Sequence, residues 1–179
     1  MIREFSVKPK PSNNRARIIF AISMSLSFAL IAISTFATSY KGIISLAGVI
    51  ALSVALVVYT KYISPVYFYD ITFDTSGAPL LVIRQQIGKR HTTLCRIGLA
   101  EIVKIEKESR KQRRAHLTQE GYVKYSYLPT LDPEECYRIT TAGRYEKAEI
   151  LIESSEGFAD LLVSYSAQAR EMLSGESEY

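Results

Sequence analysis

The sequence predicts a membrane protein of the α+β class: a two-helix transmembrane hairpin followed by an antiparallel sheet domain with one C-terminal amphipathic helix. Three observations carry this. Residues 18–40 and 42–60 contain no Asp, Glu, Lys, Arg or His, and a helix needs about 20 apolar residues to cross a bilayer. From residue 66 the pattern changes from continuously apolar to alternating, as expected of half-buried strands. The last segment sets Phe158, Leu161, Leu162, Tyr165, Ala169, Met172 and Leu173 on one helical stripe.

The two apolar stretches are each helical, because backbone polar groups in hydrocarbon must be satisfied within the segment. Only Lys41 separates them, so they are antiparallel neighbours. Arg3, Lys8, Lys10, Arg15 and Arg17 precede the first helix, against Lys41 alone between the two. Excess Lys and Arg mark the cytoplasmic side, which places both termini in the cytoplasm and Lys41 outside. A basic start followed by an apolar run and Ala37-Thr38-Ser39 also fits a signal peptide, although the run exceeds the length of such regions. Small residues recur at Ala21, Ser25 and Ala29, and at Ala47, Ala51 and Ala55 beside Gly48. Such stripes let helices approach closely, either within the hairpin or between copies in a homo-oligomer.

Strands follow over 66–73, 80–87 and 90–97, with Asp74–Pro79 and Gly88-Lys89 as turns. Further strands are expected over 102–105, 121–128, 136–141 and 148–152, the last two joined near Ala142-Gly143. Ser154 or Ser155 caps the final helix and Gly175 stops it. The organisation is thus a basic cytoplasmic tail (1–17), the hairpin (18–60, helices about 18–40 and 42–60), a cytoplasmic domain (66–174) and a short tail (175–179).

Composition excludes several classes. Two cysteines, Cys95 and Cys136, cannot build a disulfide scaffold. Twelve tyrosines, seven phenylalanines and abundant Ile, Leu and Val exclude a wholly disordered chain. The net charge of +4 comes from the first 17 residues, since 61–179 hold 16 bases and 17 acids, so nucleic acid is not the expected partner.

Residues suited to chemistry are sparse. His91 and Cys95 are four apart on a strand and share a face, but no CxxC or second histidine cluster completes a metal site. Cys95 lacks a base to activate it, and Asp132, Glu134 and Glu135 form a solvated cluster in a loop signalled by Pro129 and Pro133. No phosphate-binding, dinucleotide, metalloprotease or nucleophile-elbow motif is present. No catalytic residue, cofactor or metal is expected. The candidate contacts are basic: Arg110, Lys111, Arg113 and Arg114 in a loop between strands, with Lys89 and Arg90 at a hairpin tip. They read either as a solvated loop or as a surface facing anionic lipid, where each base contributes about 1 kcal/mol.

The stretch LLVIRQQIGKRHTTLCRIGLAEIVKIEKES resembles the central hairpin of bacterial pleckstrin-homology-like (PH-like) domains. Members pair that hairpin with an I-x-L-x-x-I-x-x-V segment. The corresponding residues here are Ile97, Leu99, Ile102 and Val103, the last arriving earlier than in the family pattern. Two transmembrane helices often precede the family's domain, as they do here. The resemblance implies a partly open antiparallel β-barrel plugged by its C-terminal helix, used for binding and not for chemistry, at a bacterial cell membrane. Relatives that bind phosphoinositides carry Lys and Arg in the first hairpin loop, whereas Asp74–Pro79 is acidic and lacks a base.

The resulting expectation is a membrane-anchored, non-catalytic scaffold. The hairpin contacts lipid, and the domain holds a protein partner or anionic headgroups at the inner surface. The alternative is an accessory subunit of a larger membrane complex.

Overall fold

The computed structural model describes residues 5–10, 13–37, 39–118, 120–143 and 147–175. Two compact units result. One comprises Pro11–Pro65, and the other is built from Met1–Lys10 together with Val66–Tyr179. Gly175 ends the last helix, and the remainder of the expected 175–179 tail lies outside the described residues, as does Thr38 of the Ala37–Ser39 tripeptide.

The first unit is a pair of antiparallel helices, α1 (Asn14–Phe36) and α2 (Lys41–Val58), the latter continued by a π-helical turn (Tyr59–Ile63). Both are long and apolar enough to cross a membrane. Their contact is close where Gly48 faces α1: a β-carbon there would lie 3.0 Å from Ile31 Cγ1. Across the same contact Ser27 Oγ donates to the Gly48 carbonyl at 2.9 Å. At the opposite end Asn13 Nδ2 donates to the Tyr62 carbonyl at 2.6 Å. The buried small residues are therefore Ala16, Ser27 and Ser34 on α1, and Gly48 and Ala55 on α2. Ala21, Ser25 and Ala29 lie on the exposed side of α1 and do not pack the hairpin.

The second unit contains β1 (Phe5–Val7), β2 (Pro65–Phe73), β3 (Pro79–Ile87), β4 (Arg90–Gly98), β5 (Ile102–Ser109), α3 (Arg110–Ala115), β6 (Val123–Ser126), β7 (Glu135–Ala142), β8 (Lys147–Ile152) and α4 (Glu156–Gly175). The strands form two four-stranded sheets, ordered β1-β2-β3-β4 and β5-β7-β8-β6, and no closed barrel. Nor is the pairing antiparallel throughout. β6 runs parallel to β8, with Tyr125 opposite Ile150. The cause is the connection through Pro129 and Pro133, which carries the chain past β8 so that the β7–β8 hairpin inserts between β6 and β5.

The 1–17 segment is more than a tail. Phe5–Val7 pairs antiparallel with β2, Ser6 opposite Asp70, too short a strand for periodicity to announce. Two-residue turn chemistry at Gly88-Lys89 is realised, with Gly88 at φ +60°.

One core joins both sheets to α4. Tyr69, Ile71, Leu81 and Ile83 from the first sheet meet Ile139, Ile150 and Ile152 from the second, and Phe158 and Leu162 of α4 fill the space between. These positions alternate along each strand, as side chains on a pleated surface must.

The second sheet is also covered on its outer side. α3 with His116, and the connection around Leu128–Pro133, lie against it, and Leu128, Cys136 and Leu151 form a small separate buried cluster. Outward-facing β7 and β8 residues are thereby taken out of water.

Candidate functional site

The loop expected over the basic residues is a short helix. Ser109 Oγ accepts from the Gln112 backbone amide, and Gln112 Oε1 accepts from the Ser109 amide at 2.9 Å, a reciprocal capping box. The S-x-x-Q spacing in Ser109-Arg110-Lys111-Gln112 is the sequence signal for this start. Helical spacing then sets Arg110, Arg113 and Arg114 on one side.

All three converge on Asp132. Arg113 Nη2 and Arg114 Nη2 each approach its carboxylate at 2.5 Å, and Arg110 Nε lies at 3.2 Å. Asp132 itself adopts φ +64°, a left-handed turn between the prolines. Arg113 also donates to the Pro133 carbonyl at 3.0 Å and to Cys136 Sγ at 3.5 Å. Lys111 is exposed on the same helix. Three of the four basic residues in this segment therefore clamp the excursion onto the sheet.

Burial pushes the Asp132 carboxyl up, but hydrogen bonds from Arg113 and Arg114 and the charges of Arg114 and Arg110 outweigh it and hold it below its ordinary value. Its contribution to stability is therefore present above the unfolded value of about 3.9 and fades as pH falls through the lower folded value. Asp132→Asn is expected to lower the thermal unfolding midpoint at neutral pH and to have no effect once the carboxyl is protonated in both states. Unfolding of the full chain in detergent, followed from pH 7 downwards, checks this.

A second charged cluster lies on the outer face of the second sheet. Arg138, 1% exposed, donates from Nε and Nη2 to the two Glu108 oxygens at 2.6 and 2.8 Å. Its Nη1 donates to Glu149. The other Glu149 oxygen meets His116 Nε2 at 3.2 Å. A bidentate guanidinium is the side chain that can satisfy two carboxylates in this way. The alternating pattern did not distinguish these residues from an ordinary solvated face, because what buries them arrives from the α3 excursion.

The cysteines and histidines are placed by irregularities in the strands. His91 and Cys95 do not share a face: an extra residue in β4 at Leu94 puts His91 opposite Gln86 but Cys95 opposite Ile83. A bulge reverses the alternation beyond it. The His91 ring lies beside that of Phe68, tilted by 46° with ring centres 6.2 Å apart. Cys95 and Cys136 belong to different sheets, and neither is in a disulfide. Burial raises the Cys136 thiol, partly opposed by Arg113. Glu135 pairs with Lys107 at 2.9 Å. Among the described residues no group of three His, Cys, Asp or Glu could hold a metal ion.

The seam between the sheets is open. A cleft of about 390 Å³ lies between β4, which contributes Leu94–Ile97, and the side of the second sheet carrying Tyr125, Tyr127, Ala148 and Ile150. The Tyr127 hydroxyl, raised by burial and by its hydrogen bond to Cys95, ties its floor. The Tyr125 and Tyr127 rings are parallel, with centres 6.2 Å apart. Lys89, Arg90, Arg96, Lys111 and Lys124 are exposed and, among the described residues, make no ion pair. The six basic candidates thus divide: Arg110, Arg113 and Arg114 are committed to Asp132, whereas Lys89, Arg90 and Lys111 face solvent. Against known proteins, no family model, no curated protein and no solved structure matches this chain.

Proposed function

We propose that the chain is a membrane-anchored, non-catalytic binding module. Its helical hairpin spans the bilayer, and its PH-like sheet unit works at the cytoplasmic surface of a bacterial cell membrane. The observation that carries this is the apolar surface of α1 and α2: only 11% and 17% of their most apolar windows are buried. Phe28 and Phe36 are 66% and 89% exposed. Helices of a soluble core are covered by protein, and an apolar surface of this extent calls for lipid.

Orientation follows from charge and topology together. Five bases precede α1 and one lies between the helices. β1 precedes the hairpin and β2 follows it, yet they are hydrogen-bonded neighbours. That pairing supports a hairpin whose two ends emerge on one side. A binding role is supported by the commitment of Arg110, Arg113, Arg114 and Arg138 to ion pairs, while the seam is open and Lys89, Arg90, Arg96, Lys111 and Lys124 make no ion pair among the described residues. Tethering concentrates such a module near its partner, so modest intrinsic affinity suffices.

Topology is tested by cysteine labelling. In a background lacking Cys95 and Cys136, Lys41→Cys should react with a membrane-impermeant maleimide in intact cells. Thr75→Cys, in the exposed β2–β3 turn, should react only after permeabilisation. The reverse pattern overturns the orientation, and labelling of both in intact cells overturns the anchor. Binding of anionic vesicles is tested at Lys89, Arg90 and Lys111, whose reversal to Glu does not touch the Asp132 clamp.

The exposed Ala21, Ser25 and Ala29 stripe favours one further reading, in which α1 packs against another helix, in a second copy or in a larger complex of which this chain is an accessory subunit. A stoichiometric partner retained in mild detergent would establish it.

A further inference from the structure

The seam beside β4 has the features of a strand-accepting edge. β4 is the last strand of the first sheet and β6 the last of the second, so each has one side without a hydrogen-bonded strand among the described residues. Unpaired edges are normally short, bulged or covered, and where long they accept another strand. β4 runs nine residues, with the extra residue at Leu94 breaking its register against β3, and Leu94–Ile97 lines the cleft.

Charge separates this edge from the other open ones. β5, the opposite edge of the second sheet, has its lysines paired, Lys104 on Glu106 at 2.7 Å and Lys107 on Glu135 of β7 at 2.9 Å. β4 and β6 instead carry Arg90, Arg96 and Lys124 and no carboxylate. Glu101, at one end of the cleft, is the only acid among the described residues that line it. The occupant that fits must therefore satisfy a row of backbone amides and carbonyls and must bring negative charge. An isolated headgroup or phosphate supplies the charge but leaves the row unpaired.

We propose that the β4 edge, at the seam with β6, binds an extended acidic segment of a partner protein by strand addition. Main-chain hydrogen bonds on either side of the bulge, along Arg90–Thr93 and Cys95–Ile97, provide the affinity. Acidic side chains meet Arg96 and Lys124, and alternate side chains enter the cleft against Tyr125 and Tyr127. This rests on the binding-module reading and deepens it. The labelling experiment reports on the anchor separately, so the anchor can stand while the strand site falls.

The test uses the full chain in nanodiscs of zwitterionic lipid and a fluorescent peptide of about eight residues alternating Glu and Val. Anisotropy should show saturable binding. N-methylation of alternate amides keeps the charge but blocks the ladder, and should abolish it. Arg96→Glu or Lys124→Glu should each weaken it about tenfold, whereas Lys111→Glu, away from the seam, should not. Three outcomes overturn the proposal. Equal binding of the N-methylated peptide reduces the site to charge alone. No binding by either peptide means that the cations only guard the edge. Displacement of the peptide by glycerophosphoserine, with headgroup binding lost in Arg96→Glu, makes it a lipid site.

Discussion

Replacing Arg138 by methionine is expected to destabilise the sheet unit by about 3–5 kcal/mol, the cost of leaving buried charges without their partner. The guanidinium is 1% exposed and joins Glu108 of β5 to Glu149 of β8 through β7. Without it two carboxylates, each over nine-tenths buried, lose their shared guanidinium, with His116 beside Glu149. The Met variant should unfold at a markedly lower temperature, by far-ultraviolet circular dichroism of the full chain in detergent. Adding Glu108→Gln and Glu149→Gln should recover much of the loss, because amides in a hydrogen-bonding site lack the charge. Loss of comparable size in the triple variant would place the effect in packing and not in charge.

Phe158→Ala is expected to cost about 3–5 kcal/mol, as for other large-to-small changes in a packed core. Phe158 is 1% exposed, and its ring lies 6.4 Å from that of Tyr69. It belongs to the cluster that holds residues of both sheets, so the cavity would be felt by both at once. The chain contains no Trp and twelve Tyr, so tyrosine emission reports on this region without an added probe. Both sheets should lose structure in one transition. Val163→Ala, at a position 51% exposed on the same helix, should leave stability within about 0.5 kcal/mol. A small loss at Phe158 would mean that α4 is not what closes the unit.

These two residues show where sequence reading works and where it stops. Phe158 was legible because the stripe of α4 repeats at helical spacing, and burying that stripe needs only a sheet to lie on. Arg138 was not, because an arginine on an alternating strand reads as facing water. Its burial depends on the α3 excursion, held by Arg113 and Asp132 across 19 positions. The expectation of a free basic loop at Arg110, Arg113 and Arg114 changed for the same reason, since nothing local announces that Asp132 would receive all three. The capping box at Ser109 and Gln112 was present in the sequence, although it defines a helix of only six residues.

Two features written in local pattern did not need the rest of the molecule. The charge-free runs dictate helices long and apolar enough for a bilayer, because each residue's hydropathy and the helical rise act independently of distant contacts. The alternation from 66 onward and the final amphipathic stripe dictate strands and a covering helix by period alone. The tertiary structure decided what period cannot express. It chose β1 as the partner of β2 across the hairpin, set β6 parallel to β8, and turned Cys95 away from the face of His91 through one extra residue. It also divided the cations into those clamped on carboxylates and those left at the open β4 and β6 edges. Each of these is a contact between residues far apart in the chain, specified by geometry that exists only once the sheets are assembled.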